Sequence, residues 1–204
     1  MAKQDDRRER RRNEILDAAA WVFATSGYHG ARMDDIVSRS GLSKGALYWY
    51  FSSKTEIATA LVDRELAGQG SAFDRVLAVE ADPRAQLEML ARAFADSLAE
   101  KPDNARLILE LLSLAHTVPD IGTRFVEHHR MFLRQIEGIM LGIMGEDDAA
   151  RAPDARVAAS AIAELVDGFA LRVALNPGGP ESADRLWASA NLIVEGIAPS
   201  RGPH

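Results

Sequence analysis

Residues 27–57 read GYHGARMDDIVSRSGLSKGALYWYFSSKTEI, and within them the run Gly41–Phe51, GLSKGALYWYF, decides how the chain is organised. The 204 residues include 3 Trp, 3 Tyr and 7 Phe, and four of these stand in a row as Tyr48, Trp49, Tyr50 and Phe51. A helix turns by about 100° per residue, so it sends four consecutive rings in different directions. The neighbours say which way. Gly41 stands where a helix over 33–40 has to end, and glycine tolerates the left-handed conformation of such a turn. Ser43 has the chemistry of an N-cap for a helix over 44–50, its oxygen near the Ala46 amide. Leu42 and Leu47 have the spacing of a hydrophobic staple. The stretch therefore predicts helix, tight turn, helix. On the second helix Leu47 and Phe51 share the inward face, Gly45, Tyr48 and Trp49 project outward, and Tyr50 lies on the flank. The alternative, that Tyr48 and Trp49 pack against the rest of the chain, fits poorly with their place opposite Leu47 and Phe51.

Such an outward face suits nucleic acid. A helix-turn-helix leads its second helix into the major groove by the N-terminal residues. Gly45 lets that end approach closely, and the helix terminus with Lys44 beside it suits a phosphate. Rings there can touch thymine methyls or sugars, and a Tyr hydroxyl can reach phosphate. The charge distribution agrees. The net charge is −6, yet residues 1–54 hold 10 Lys+Arg against 7 Asp+Glu, leaving 14 against 23 in the remainder. A basic head on an acidic body points to a polyanionic partner for the head alone. The cluster Arg7–Arg12 belongs to that head, or is a solvated tail.

Around this stretch the chain reads as all-α. At 47% apolar and 26% charged it has the composition of a globular protein, and no apolar run reaches membrane-spanning length. There is no cysteine, which removes disulfides, thiolate metal sites and cysteine nucleophiles. Arg7–Arg12 followed by the apolar Ile15–Ala24 imitates a signal peptide, but Asp17 interrupts it. Ile15, Leu16, Ala19, Val22 and Phe23 instead fall on one helical face. No export or membrane partner is expected, and the expected location is cytoplasmic. No strand-like alternation appears; about nine helices are divided by Gly and Pro. The first covers 8–25 and stops at Ser26-Gly27, and short helices follow at 33–40 and 44–50. A long fourth begins at Ser53, where Ser53 and Glu56 form a capping box. Asp82-Pro83, Pro102-Asp103 and Pro119 open the fifth, sixth and seventh, the last running to Met144. Residues 145–148 are a loop, the eighth helix spans 153–175, and 176–180 lead into the ninth, with 199–204 frayed. Helix lengths change near residue 53, so the expected domains are 1–53 and 54–204.

Residues 27–57 resemble the DNA-binding domain of the TetR family of one-component regulators. The resemblance rests on Gly27-Tyr28, Gly30, Asp35-Ile36, Gly41-Leu42-Ser43, Leu47-Tyr48, Tyr50-Phe51 and Ser53-Lys54. It implies an N-terminal three-helix helix-turn-helix domain joined to a C-terminal helical ligand-binding and dimerisation domain. It also implies that Ser43, Lys44, Gly45, Ala46, Tyr48, Trp49 and Tyr50 lie at the DNA, and that Lys54 contacts a phosphate. The chain departs from the family where Ala31-Arg32 replace the usual Thr or Ser. This weakens a hydroxyl cap on the second helix and brings Arg32 near the DNA. Val37 stands where Ala is common. Residues 107–132 and 163–177 resemble the C-terminal half of BetI-type members.

From that resemblance a small-molecule effector is expected in a cavity among the fifth to eighth helices. The candidate residues are Leu107, Glu110, Leu111, His128, Phe132, Phe169 and Arg172. Glu110 interrupts the apolar run 107–114 and needs a partner, as does Arg172 if buried; His128 falls on the apolar stripe of the seventh helix. A histidine metal site built on His116, His128 and His129 has weak support, and no metal or cofactor is expected. No phosphate loop, nucleophile elbow or metalloprotease motif supports an enzyme, so no catalytic residue is assigned. The expected protein is a homodimeric, ligand-responsive repressor on a pseudo-palindromic double-stranded DNA operator. It dimerises through the eighth and ninth helices, where Ala158, Ala159, Ala161, Ala163, Ala188 and Ala190 allow close approach. The rival readings are an activator or ligand-independent factor of the same fold, and a helical carrier or enzyme.

Overall fold

The periodic apolar positions of the N-terminal stretch become a helix because they find a common core. In the computed structural model, which describes residues 2–79, 82–145, 151–176, 179 and 182–197 (for residues 2–5 and 102 the backbone only), α1 spans Ala2–Gly30. Its residues Ile15, Leu16, Ala19, Val22 and Phe23 are all buried. The helix is broken at Gly27, whose φ of 69° and ψ of 157° lie outside helical space. Then come α2 (Met33–Ser40), α3 (Lys44–Tyr50), α4 (Lys54–Leu77), α5 (Pro83–Glu100) and α6 (Pro102–Ser113). A 3₁₀ turn over Leu114–His116 leads to α7 (Pro119–Met144), α8 (Ala152–Leu175) and α9 (Ala183–Ile197). Among the described residues there is no strand. Residues 146–148, 177, 178, 180 and 199–204, parts of the expected loops and tail, lie outside the described residues.

The chain forms two compact units. The first comprises residues 1–67 and 106–125, the second residues 68–105 and 126–204. The boundaries fall inside α4, α6 and α7, whereas the expected domain boundary at residue 53 falls just before α4. In the first unit Ile36, Leu47 and Phe51 join the apolar face of α1, with Ile57 and Leu61 of α4 and Leu107 and Leu111 of α6. Asp17 on α1 is held by Arg64 of α4 at 2.7 Å.

The second unit is built on Ile136, Ile139 and Met140 of α7, Ala155, Ala158, Ala159 and Ile162 of α8, and Ala190 and Val194 of α9. α9 packs on both α5 and α8. Arg92 of α5 reaches Asp184 at 2.7 Å, and Arg84 reaches Asn191 at 2.6 Å. Here the alanines have a different use from the expected one. Ala158, Ala159, Ala163 and Ala190 are at most 3% exposed within a single chain. Their small size serves α8 and α9 packing on each other and on the core, so they offer nothing to a second copy. Of the six, only Ala188 is exposed, with Ala161 half-buried.

Candidate nucleic-acid interface

Local chemistry builds α2, the turn and α3 as the sequence implies. Gly41 sits at φ 68°, ending α2 in the left-handed conformation. Ser43 caps α3, its Oγ accepting the Ala46 N–H at 3.2 Å. Leu42 packs half-buried on the core that holds Leu47. Leu47 and Phe51 are buried, Tyr50 is half-buried, and Tyr48 and Trp49 are 44% and 65% exposed. Lys44 and Gly45 are exposed and Ala46 is half-buried. The run of four aromatics thus divides by direction, with its inner member fixing the helix and two outer members open to solvent.

The surroundings of the exposed rings are cationic. The Arg8 guanidinium lies 5.1 Å from the centre of the Trp49 ring, and Trp49 meets Tyr50 edge to face at 4.7 Å. Arg12 sits 5.3 Å from the Phe51 ring. Residues of the Arg7–Arg12 cluster thus stand beside α3, a placement their position at the terminus did not reveal. Arg32 is exposed. Its backbone N–H is accepted by the Asp35 carboxylate at 2.8 Å, so α2 keeps this arm of its cap although position 32 lacks a hydroxyl. Lys44 pairs with Asp34 at 2.7 Å, both side chains well exposed. That hydrogen bond, and then the charge of Asp34, raise the Lys44 pKa above its ordinary value. Nothing in the spacing of residues 34 and 44 announces this pair.

Lys54 has more than one task. Its Nζ donates to the Tyr28 carbonyl at 2.6 Å and to the Ala31 carbonyl at 2.7 Å, and lies 4.3 Å from the Tyr28 ring. Burial holds its pKa below the ordinary lysine value. An ammonium has three N–H donors, so one is left over after the two carbonyls. The capping box at the start of α4 is also altered. Ser53 Oγ accepts the Glu56 N–H at 3.1 Å, but the Glu56 carboxylate turns to the N–H and hydroxyl of Ser52, each at 2.7 Å.

The residues expected around an effector divide between the units. Leu107 and Leu111 fill the first core, and Glu110 accepts the Tyr28 N–H at 3.0 Å in that unit. In the second unit Phe132 meets Phe73, Phe169 meets Phe94, and the His128 ring bonds Gln69 at 3.0 Å. Burial, and then the neighbouring His129, lower the His128 pKa. Arg172 is exposed on α8. Among the described residues no group of three or more His, Asp or Glu is placed to hold a metal ion, and no helix is long and apolar enough to cross a membrane.

Comparison with known proteins decides the family. Residues 15–61 match the model for bacterial regulatory proteins of the tetR family, and residues 83–199 match that for the C-terminal region of BetI-type transcriptional repressors. The chain belongs to the TetR family. It is a DNA-binding transcriptional regulator, and its TetR-family relatives carry both signs of action. The transcriptional activator FasR of Mycolicibacterium smegmatis is 39% identical over 103 residues, which cover 50% of this chain and 47% of that protein. The transcriptional repressor AcnR of Corynebacterium diphtheriae is 28% identical over 196 residues, 94% of this chain and 93% of that protein. The crystal structure of a TetR transcription regulator from Haloarcula marismortui superposes with a TM-score of 0.80 at 20% identity, covering 94% of this chain and all of that one. That likeness establishes the fold.

Proposed function

We propose that this TetR-family protein is a repressor that binds a pseudo-palindromic operator as a homodimer and leaves it when a small-molecule inducer binds. The observation that carries the DNA-reading part is the division of GALYWYF. Leu47 and Phe51 lock α3 into the head, while Tyr48 and Trp49 stand outward beside Lys44 and Arg8. In this reading residues 1–53 are the DNA-binding domain. Tyr48, Trp49, Lys44, Gly45 and Ala46 meet bases or backbone, with Ser43, Tyr50 and Arg32 at the edge and Lys54 offering its remaining N–H to a phosphate. The BetI-type match over residues 83–199 and the likeness to AcnR along nearly the whole chain support repression. The likeness to FasR over half the chain favours activation as the second reading. Residues 54–204 would hold the effector and the dimer contacts. We place effector contacts of the second unit at His128, Phe132, Phe169 and Arg172, two aromatic rings for the apolar part of a ligand and two polar groups to orient it.

The test is a mobility shift with the purified chain and the DNA upstream of its own gene. A salt-sensitive complex on one fragment, displaced from it only by large excess of unrelated duplex, is the expected result. Equal binding to every duplex would sink the operator reading. A reporter driven by that fragment separates repression from activation by the sign of the change when the protein is expressed.

A further inference from the structure

The corner after Gly27 is gripped from two sides. Because Gly27 leaves helical space, the hydrogen bonding of α1 stops and a new turn begins, with Ala31 N–H returning to the Gly27 carbonyl at 3.1 Å. Tyr28 is the first residue of that turn, and its N–H has no carbonyl one turn back to meet. Tyr28 is 8% exposed, so water is a poor substitute. Glu110 of α6 supplies the acceptor, Oε2 to Tyr28 N at 3.0 Å. A Cβ on Gly27 would stand 3.4 Å from the same oxygen, an ordinary contact, so it is the positive φ and not space that calls for glycine here. From the other side Lys54 of α4 takes the Tyr28 and Ala31 carbonyls. One residue's N–H and C=O are thus both held by charged side chains, each from a different helix.

This corner sets the direction of α2 and α3. Met33 opens α2 two residues after Ala31, Ile36 fixes α2 in the core, and the short Gly41–Ser43 turn passes that orientation to α3. We infer that Glu110 is a positioning residue for operator binding: its carboxylate ties α6 to the corner that aims α2 and α3, so a displacement of α6 is felt at the DNA. Leu107, Leu111 and Leu114 are buried in the same core on either side of Glu110, which seats the backbone of α6 from which the carboxylate reaches the corner. A hydrogen bond of 3.0 Å is lost beyond about 3.5 Å, so a shift of α6 by about half an ångström along the bond is enough. The inference rests on the proposed DNA binding and gives Glu110 a role in transmission in place of effector contact.

The experiment uses the full chain and the upstream duplex, with affinity measured by fluorescence anisotropy over a range of salt and amide exchange followed at Tyr28. Glu110→Ala is expected to weaken operator binding about tenfold, as for loss of a hydrogen bond to a charged group, with Tyr28 exchange accelerated. The salt slope stays as in the wild type, because no phosphate contact is removed. Glu110→Gln, whose amide oxygen still accepts, stays within about twofold in affinity. Glu110→Asp, one methylene too short, behaves like the alanine variant and serves if that variant does not fold. Wild-type affinity in the alanine and aspartate variants, with Tyr28 exchange accelerated, reduces Glu110 to a plain helix cap and overturns the inference. So does a change in salt slope. A wild-type chain that binds no duplex sinks the DNA-binding reading itself, and this inference with it.

Discussion

Trp49 and Phe51 lie two residues apart, yet one is 65% exposed and the other 2%. The same residue class therefore does two jobs, and substitution separates them. Trp49→Ala removes a ring that lies mostly in solvent and touches Tyr50 and Arg8, so unfolding shifts by no more than about 1 kcal/mol while specific duplex binding is lost. Thermal melts and a competition with unrelated DNA check both halves, and a large drop in melting temperature would mean that the ring packs in the fold. Lys54 behaves differently because its ammonium is already committed. Lys54→Ala leaves the Tyr28 and Ala31 carbonyls without their donor, a cost of about 1–3 kcal/mol, and also weakens binding to every duplex alike. Weaker binding at wild-type stability would show that the lysine serves phosphate alone. Lys44 is held by Asp34 across the turn between α2 and α3. Phosphate has to compete with that carboxylate. Asp34→Asn frees the ammonium, so affinity for all duplexes rises and the salt slope steepens by about one unit. An unchanged slope removes Lys44 from the interface.

Elements can be read from the sequence where short-range chemistry decides them. The Gly41–Ser43 turn is legible because a left-handed glycine and a serine cap act over three residues, and the proline-led starts of α5, α6 and α7 are legible for the same reason. Arg8 beside Trp49, Lys44 with Asp34 and Glu110 with Tyr28 join residues far apart in sequence, and no period or spacing encodes them. Glu110 could be flagged as a lone acid in an apolar run that needs a partner, but the partner could not be named, since it is a backbone N–H created by the break at Gly27. Alanines on α8 illustrate the opposite limit: a stripe of small residues has the same appearance whether it admits a neighbouring helix of its own chain or of another copy. The start of α4 lies between these cases. Ser53 caps as expected, while Glu56 chooses Ser52, and the Ser52 hydrogen bonds hold the Glu56 carboxyl below the ordinary carboxylate value. A depressed folded value means that this contribution is present above the unfolded-chain pKa and is lost as pH falls through the folded one. In Ser52→Ala the Glu56 midpoint followed by carboxyl NMR should therefore move up, and the stability lost on acidification should be smaller and complete at higher pH. A midpoint that stays put would mean the backbone N–H alone fixes it.

At the scale of the whole molecule, reading the proposed two-fold operator would require two heads, and with Ala158, Ala159, Ala163 and Ala190 turned inward the joining face would have to be built from other residues. Val157, Leu171 and Leu175 on α8 and Leu192 on α9 are 70%, 44%, 74% and 74% exposed, with Ala188 exposed one turn before Leu192. Positions 157, 164, 168, 171 and 175 recur at helical spacing, so the three large side chains share a face of α8 with Gly168 and the exposed Glu164, while 188 and 192 share one on α9. Exposed apolar side chains grouped on two packed helices mark an association surface more than scattered solvent contacts. Symmetric pairing on this face would join two copies, as a repressor on a pseudo-palindrome needs, with half-sites about one helical turn apart. Leu175→Glu and Leu192→Glu place a charge where desolvation opposes it and, in a symmetric pair, where the same charge arrives from the other copy. Each is solvent-exposed in the single chain, so melting of the isolated fold changes little. Sedimentation should report monomers, and affinity for the two-fold fragment should fall far more than affinity for a single half-site, because the second head no longer adds its contacts at high effective concentration. Dimers that persist in both variants would move the interface to another face. Monomers that still bind the two-fold fragment at wild-type affinity would reject the paired-head reading.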